Sequence, residues 1–140
     1  MCIRDRSTGA GGAALRKEVA RSALGFLGRP YRWGGSSPET GLDCSGLTMA
    51  AYRLNGLALP RAAAEQFASG EVVSAGTLQQ ADLVFFATGR RSKPTHVGLY
   101  LGEGRFIHAP SSGDVVRIDE LAGSYYQRTY LGARSYLGKP

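Results

Sequence analysis

Two hydrophobic periods divide this chain, and their order narrows it to one fold class. Through about residue 68 apolar residues recur at helical spacing; from Asp82 onward they come in short runs split by glycine loops. Leu15, Val19, Ala23, Phe26 and Leu27 form a stripe that predicts a helix over 14–27, with Arg16, Lys17 and Arg21 on its other side. Gly28 and Pro30 stop it. A second helix is expected over 44–55, where Leu47, Ala51 and Leu54 fall in phase with Cys44 and Gly56 closes the run. A short third helix over 62–68 follows Pro60. Then 82–86 reads as a buried strand, and 97–101 and 105–109 read as a hairpin about Gly102-Glu103-Gly104. Residues 115–118 extend the sheet, a helical turn lies near 119–121, and 130–136 is the last strand. Helices followed by an antiparallel sheet make an α+β domain. Residues 1–13, polar and glycine-rich, read as a disordered or non-native tail, leaving 14–140 as the domain.

Bulk properties exclude some functions. A chain of 140 residues is long enough to bury a core as a single domain, and a monomer is expected. No apolar run approaches the roughly 20 residues of a membrane-spanning helix. The net charge of +6 suits anionic surroundings: nucleic acid, anionic lipid or an acidic wall polymer. No nucleic-acid motif, aromatic-studded basic strand or dense lysine cluster accompanies it, so nucleic acid is not an expected partner. Met1-Cys2-Ile3-Arg4-Asp5-Arg6 lacks the apolar core of a signal peptide and resembles translated adapter sequence, which leaves the compartment open. A Cys2–Cys44 disulfide would staple this tail to a helix start and is not expected.

Chemistry concentrates around Cys44. The stretch from Gly28 to Pro38 is too rich in Gly, Pro and Ser for regular structure, and Asp43 is a good helix N-cap. Cys44 then sits in the first helical turn, where the helix dipole favours thiolate. The chain has two histidines, His96 and His108. One begins the first strand of the hairpin and the other ends the second, so antiparallel pairing brings both to one end of the sheet. Nucleophile, base and orienting group are the parts of a thiol catalyst. The competing structural reading, a packed cysteine and two strand histidines, stands beside it. A metal site of the same three residues has no CxxC or HxxxH spacing to support it, and no metal or cofactor is expected.

The chain resembles the NlpC/P60 family of papain-like bacterial cell-wall cysteine peptidases. The motifs are Pro30-Tyr31-Arg32-Trp33-Gly34-Gly35, Asp43-Cys44-Ser45-Gly46, Leu59-Pro60-Arg61, Ala81-Asp82-Leu83-Val84-Phe85-Phe86, Thr95-His96-Val97-Gly98-Leu99-Tyr100-Leu101-Gly102 and Phe106-Ile107-His108-Ala109. Their order along 14–136 is the specific signal. Ala81 departs from the pattern, since the family usually has glycine at that turn. The resemblance implies a papain-like fold with the nucleophile at a helix start. It also implies hydrolysis of peptidoglycan stem peptides, at γ-D-glutamyl–diamino acid bonds, in the cell envelope. Cys44 would attack, His96 would hold it as an ion pair and protonate the leaving amine, and His108 would orient His96. Tyr31 and the Cys44 N–H would be oxyanion donors, and Asp43 and Ser45 would cap the helix or line the substrate groove. Trp33 reads as core or groove wall, Arg90, Arg91 and Lys93 as a solvated loop or a carboxylate-attracting one, and Gly34 and Gly35 as a close backbone approach. Other readings are an amidase or acyltransferase on the same scaffold, or a non-catalytic wall-binding module.

Overall fold

The structure, a computed structural model, describes residues 9–88 and 93–137. Helix α1 (Gly9–Leu24) is followed by a loop and a two-stranded ribbon of β1 (Ser36–Ser37) and β2 (Gly41–Leu42). Then come α2 (Cys44–Arg53), α3 (Ala63–Ser69), β3 (Glu71–Val73), β4 (Leu83–Phe86), β5 (His96–Gly102), β6 (Arg105–His108), β7 (Arg117–Glu120), α4 (Ser124–Thr129) and β8 (Tyr130–Ser135). Among the described residues, six strands form an antiparallel sheet in the order β3-β8-β4-β5-β6-β7. The expected α+β architecture, helices on an antiparallel sheet, is what forms. No helix among the described residues is long and apolar enough to cross a membrane.

Strand alternation explains the two cores. All four residues of β4 are buried because both faces of the sheet are covered. Leu83 and Phe85 join Val19, Ala23, Leu47, Ala51 and Leu99 in the core under α1 and α2. Val84 and Phe86 point the other way, into a smaller cluster with Phe106 and Ala133 that Tyr126 and Tyr130 flank.

Several boundaries differ from the sequence expectation. Helix α1 runs five residues earlier than predicted and ends at Leu24; the chain then tightens into turns at 25–28 that keep Phe26 buried but leave Leu27 exposed. Arg16, predicted on the outer side, is buried against Asp82 and Ser135. Strand β7 spans 117–120 rather than 115–118, so 119–120, expected to begin a helical turn, are strand, and the helix falls later, at α4. Strands β1, β2 and β3, two or three residues each, were too short to show a period. Ala81 occupies the turn that the motif comparison indicated, with φ +78°. A residue with a Cβ there carries about 1–2 kcal/mol of strain.

Candidate active site

Asp43 caps α2: its Oδ1 accepts from the Gly46 N–H at 2.7 Å, and its backbone is extended, as an N-cap requires. Its other oxygen, Oδ2, accepts from the Gly34 N–H at 3.1 Å and from Arg61 at 3.0 Å. One carboxylate thereby joins the glycine loop, the helix start and the Arg61 guanidinium. Arg61 also donates to the buried Ser45 hydroxyl at 2.9 Å. Gly34 and Gly35 divide the role expected of them. Gly34 supplies a left-handed turn at φ +75°, while Gly35 makes the close approach. A Cβ on Gly46 would collide with the Gly35 carbonyl oxygen, so loop and helix start meet backbone to backbone.

The hairpin brings the two histidines together. His96 Nε2 and His108 Nδ1 lie 2.7 Å apart. Gly98, between His96 and Tyr100 on β5, leaves the space that the second strand needs: a Cβ there would lie 2.7 Å from the Phe106 ring. His108 is fully buried, and its Nε2 lies 2.7 Å from Asp119 Oδ2. The same oxygen accepts from Arg117 Nε at 2.8 Å and from the Tyr126 hydroxyl at 3.3 Å.

Cys44 and His96 line one cleft of about 350 Å³ with Tyr31, Trp33, Asp43, Ser45 and Arg61. On the far side of His96 a second lobe, about 540 Å³, is lined by His108, Thr88, Ser111, Asp114, Arg117 and Tyr125. Thr95, His96 and Pro110 belong to both lobes and form the ridge between them. Trp33, expected as core or groove wall, is 84% exposed and is a wall. Lys93 is exposed and lines neither lobe; Arg90 and Arg91 lie outside the described residues. Cys44 is a free thiol, and Cys2 also lies outside the described residues.

The ionisation of this site runs against the expectation of a resting thiolate. Burial pushes the Cys44 thiol up, and the Asp43 charge adds to it; the backbone N–H groups of Val97, Ser45 and Cys44 pull it down without prevailing. Burial, with the neighbouring His108, pushes His96 down to about 3. The cleft that both line therefore favours a neutral thiol and a neutral imidazole. Tyr31 is raised by burial, then by Cys44 and Asp43, so its hydroxyl keeps its proton and can donate.

The profile of the NlpC/P60 family matches residues 28–135. The chain belongs to the NlpC/P60 family. It is 46% identical over 111 residues to the Escherichia coli K12 protein named murein DD-endopeptidase MepH, covering 77% of this chain and 41% of that one. It is 41% identical over 113 residues to the Bacillus cereus γ-D-glutamyl-L-lysine dipeptidyl-peptidase, covering 80% of this chain and 34% of that one. This NlpC/P60 chain thus spans less than half the length of these relatives. Its fold superimposes on a Bacillus cereus NlpC/P60 family protein with a TM-score of 0.83 at 37% identity, over 88% of this chain and 40% of that one. It also superimposes on the NlpC/p60 domain of the peptidoglycan hydrolase SagA with a TM-score of 0.74 at 30% identity, over 86% of this chain and 97% of that domain.

The sequence did not single out two residues of this candidate site, Arg61 and Asp119. Arg61 was visible only as the end of a motif, because its role depends on Asp43, 18 residues away. Asp119 was hidden by the misread turn; strand register puts it two residues from Arg117, which pairs with His108 across β6 and β7.

Proposed function

We propose that this domain is a cysteine endopeptidase that hydrolyses peptidoglycan stem peptides in the cell envelope, at γ-D-glutamyl–diamino acid bonds. The observation that carries the reading is the line of groups running from Cys44 through His96 to His108 at one ridge of a two-lobed cleft. The names of the relatives support the substrate class, and they differ among themselves in the bond they specify.

Cys44 Sγ attacks the scissile carbonyl carbon while its proton passes to His96. Because burial favours the neutral pair, proton transfer accompanies attack rather than preceding it. The Cys44 N–H and the Tyr31 hydroxyl meet the developing oxyanion. One such donor is worth about 2.7–4 kcal/mol to a transition state. His96 returns the proton to the leaving amine as the C–N bond breaks, and a thioester remains. Water, deprotonated by the same imidazole, then attacks the thioester, releasing a carboxylate and the thiol. Since the leaving amine must face His96, the acyl half of the substrate lies in the lobe of Tyr31, Trp33 and Arg61. The leaving half lies in the lobe of Ser111, Arg117 and Tyr125. Asp43 and Ser45 hold Arg61 at the acyl side, where its charge suits an acidic stem peptide.

The test is digestion of purified muropeptides read by mass spectrometry. Wild type is expected to yield two fragments whose masses sum to the parent plus one water. Cys44→Ala is expected to yield none while keeping its circular dichroism. Unchanged muropeptides with folded wild type refute the reading, and mass gain by transfer to an added amine would point to an acyltransferase instead.

A further inference from the structure

The histidine pair leaves one matter open: a neutral imidazole carries its proton on either nitrogen, and only one choice lets His96 take a proton from Cys44. Hydrogen bonding outside the cleft decides which. Asp119 Oδ2 lies 2.7 Å from His108 Nε2, and a carboxylate only accepts. The proton of His108 is therefore on Nε2, and its Nδ1 is an acceptor. His96 Nε2, 2.7 Å from that Nδ1, must then be the donor. That leaves His96 Nδ1 bare, as the nitrogen free to receive the thiol proton.

We propose that Asp119 is a positioning residue that sets the tautomers of both histidines, extending the relay to Cys44, His96, His108 and Asp119. This rests on the catalytic reading of Cys44 and His96. The carboxylate is itself held in place. Oδ2 also accepts from Arg117 Nε at 2.8 Å and from the Tyr126 hydroxyl at 3.3 Å, so three donors converge on one oxygen. Burial pushes the Asp119 carboxyl up, but the hydrogen bonds from Arg117 and His108 outweigh it and the net shift is downward. The ring of His108 has no room to swivel: it is fully buried against Phe106 and Tyr126, with ring centroids 4.5 and 5.5 Å away. Without the carboxylate, His108 is free to carry its proton on Nδ1 and donate to His96 Nε2. His96 would then hold its own proton on Nδ1 and face the thiol as a donor, unable to act as base.

The experiment is nitrogen-15 NMR of the histidine rings in the labelled full chain near pH 7, with no substrate needed. Both rings are expected to carry their proton on Nε2; a proton on His108 Nδ1 overturns the proposal. Asp119→Asn, whose amide can donate to His108 Nε2, is expected to populate the opposite tautomers. It should lower kcat about 10- to 1000-fold, with KM changed less than about threefold and an unshifted melting transition. Asp119→Glu should regain part of the rate. Parent-like kcat and tautomers in Asp119→Asn would also overturn the proposal. Because the ring shifts are read without substrate, wild type with the expected tautomers but no muropeptide cleavage counts against the substrate assignment and still supports the relay.

Discussion

Removing Asp82 should cost this domain about 4–6 kcal/mol. Arg16 and Asp82 lie in the core with side-chain exposures of 5% and 1%, and Arg16 Nη1 meets Asp82 Oδ1 at 2.8 Å. Arg16 also donates to the Gln80 carbonyl at 2.9 Å and to Ser135 Oγ at 3.1 Å, so one guanidinium ties α1 to the start of β4 and the end of β8. Asp82 Oδ2 accepts from the Gln79 N–H at 2.8 Å. Asp82→Ala removes the carboxylate that meets a buried guanidinium, a loss of about 3–5 kcal/mol, and takes the acceptor of the Gln79 N–H, about 1 kcal/mol more. At about 2–4 °C per kcal/mol in a domain this size, the melting temperature should fall about 8–24 °C. Arg16→Met with Asp82→Leu replaces both charges by apolar volume and should recover most of the loss, giving a coupling of at least about 2 kcal/mol in a double-mutant cycle. Urea denaturation of the parent, Asp82→Ala, Arg16→Met, Asp82→Leu and the double variant is the assay. A loss under about 1 kcal/mol in Asp82→Ala, or additive single variants, would refute the reasoning.

Two further outcomes concern ionisation. Because burial raises the Cys44 thiol and lowers His96, iodoacetamide should alkylate the native thiol at pH 7 no faster than a denatured control, with the rate climbing through alkaline pH; a plateau reaching below pH 6 would mean a resting ion pair. His96 falls from about 6.5 unfolded to about 3 folded, so the unfolded chain binds the extra proton between those values. Its contribution to stability is whole above pH 6.5 and is lost as pH falls toward 3, by less than about 1.4 kcal/mol per unit. The urea midpoint should therefore drop from pH 7 to 4.5, and less steeply in His96→Asn; parallel curves for the two proteins would contradict this.

What could be read from the residues and what could not divides by range. The helix start at Cys44 was legible because cap, nucleophile and stripe are local, and the meeting of His96 with His108 was legible because a hairpin makes sequence neighbours into spatial ones. Arg16 was misassigned because periodicity shows which side of a helix is apolar, not whether a carboxylate such as Asp82 waits across the interface. The turn at Ala81 was legible from the motif, yet its positive φ follows from bonds the sequence cannot display: its N–H donates to the Tyr100 carbonyl at 2.7 Å and its carbonyl accepts from the Tyr52 hydroxyl at 2.6 Å. Helix-start geometry predicted a thiolate, and the burial that opposes it comes from the surrounding cleft, which only the folded chain assembles.

The placement of β8 between β3 and β4 has a consequence for how the domain is made. Strands β4, β5, β6 and β7 pair each with the next in the chain, so the part bearing His96, His108 and Asp119 can zip up as residues 83–120 leave a ribosome or a translocation pore. The other half cannot. Strand β3 pairs with β8, and one edge of β4 stays open until residues 130–135 arrive to fill the gap. Synthesis thus delivers the histidine relay early and the insertion that locks its scaffold late. A chain stalled before Tyr130 would hold a hairpin with its histidines and two bare strand edges, the state most open to proteases and to pairing with another unfinished copy.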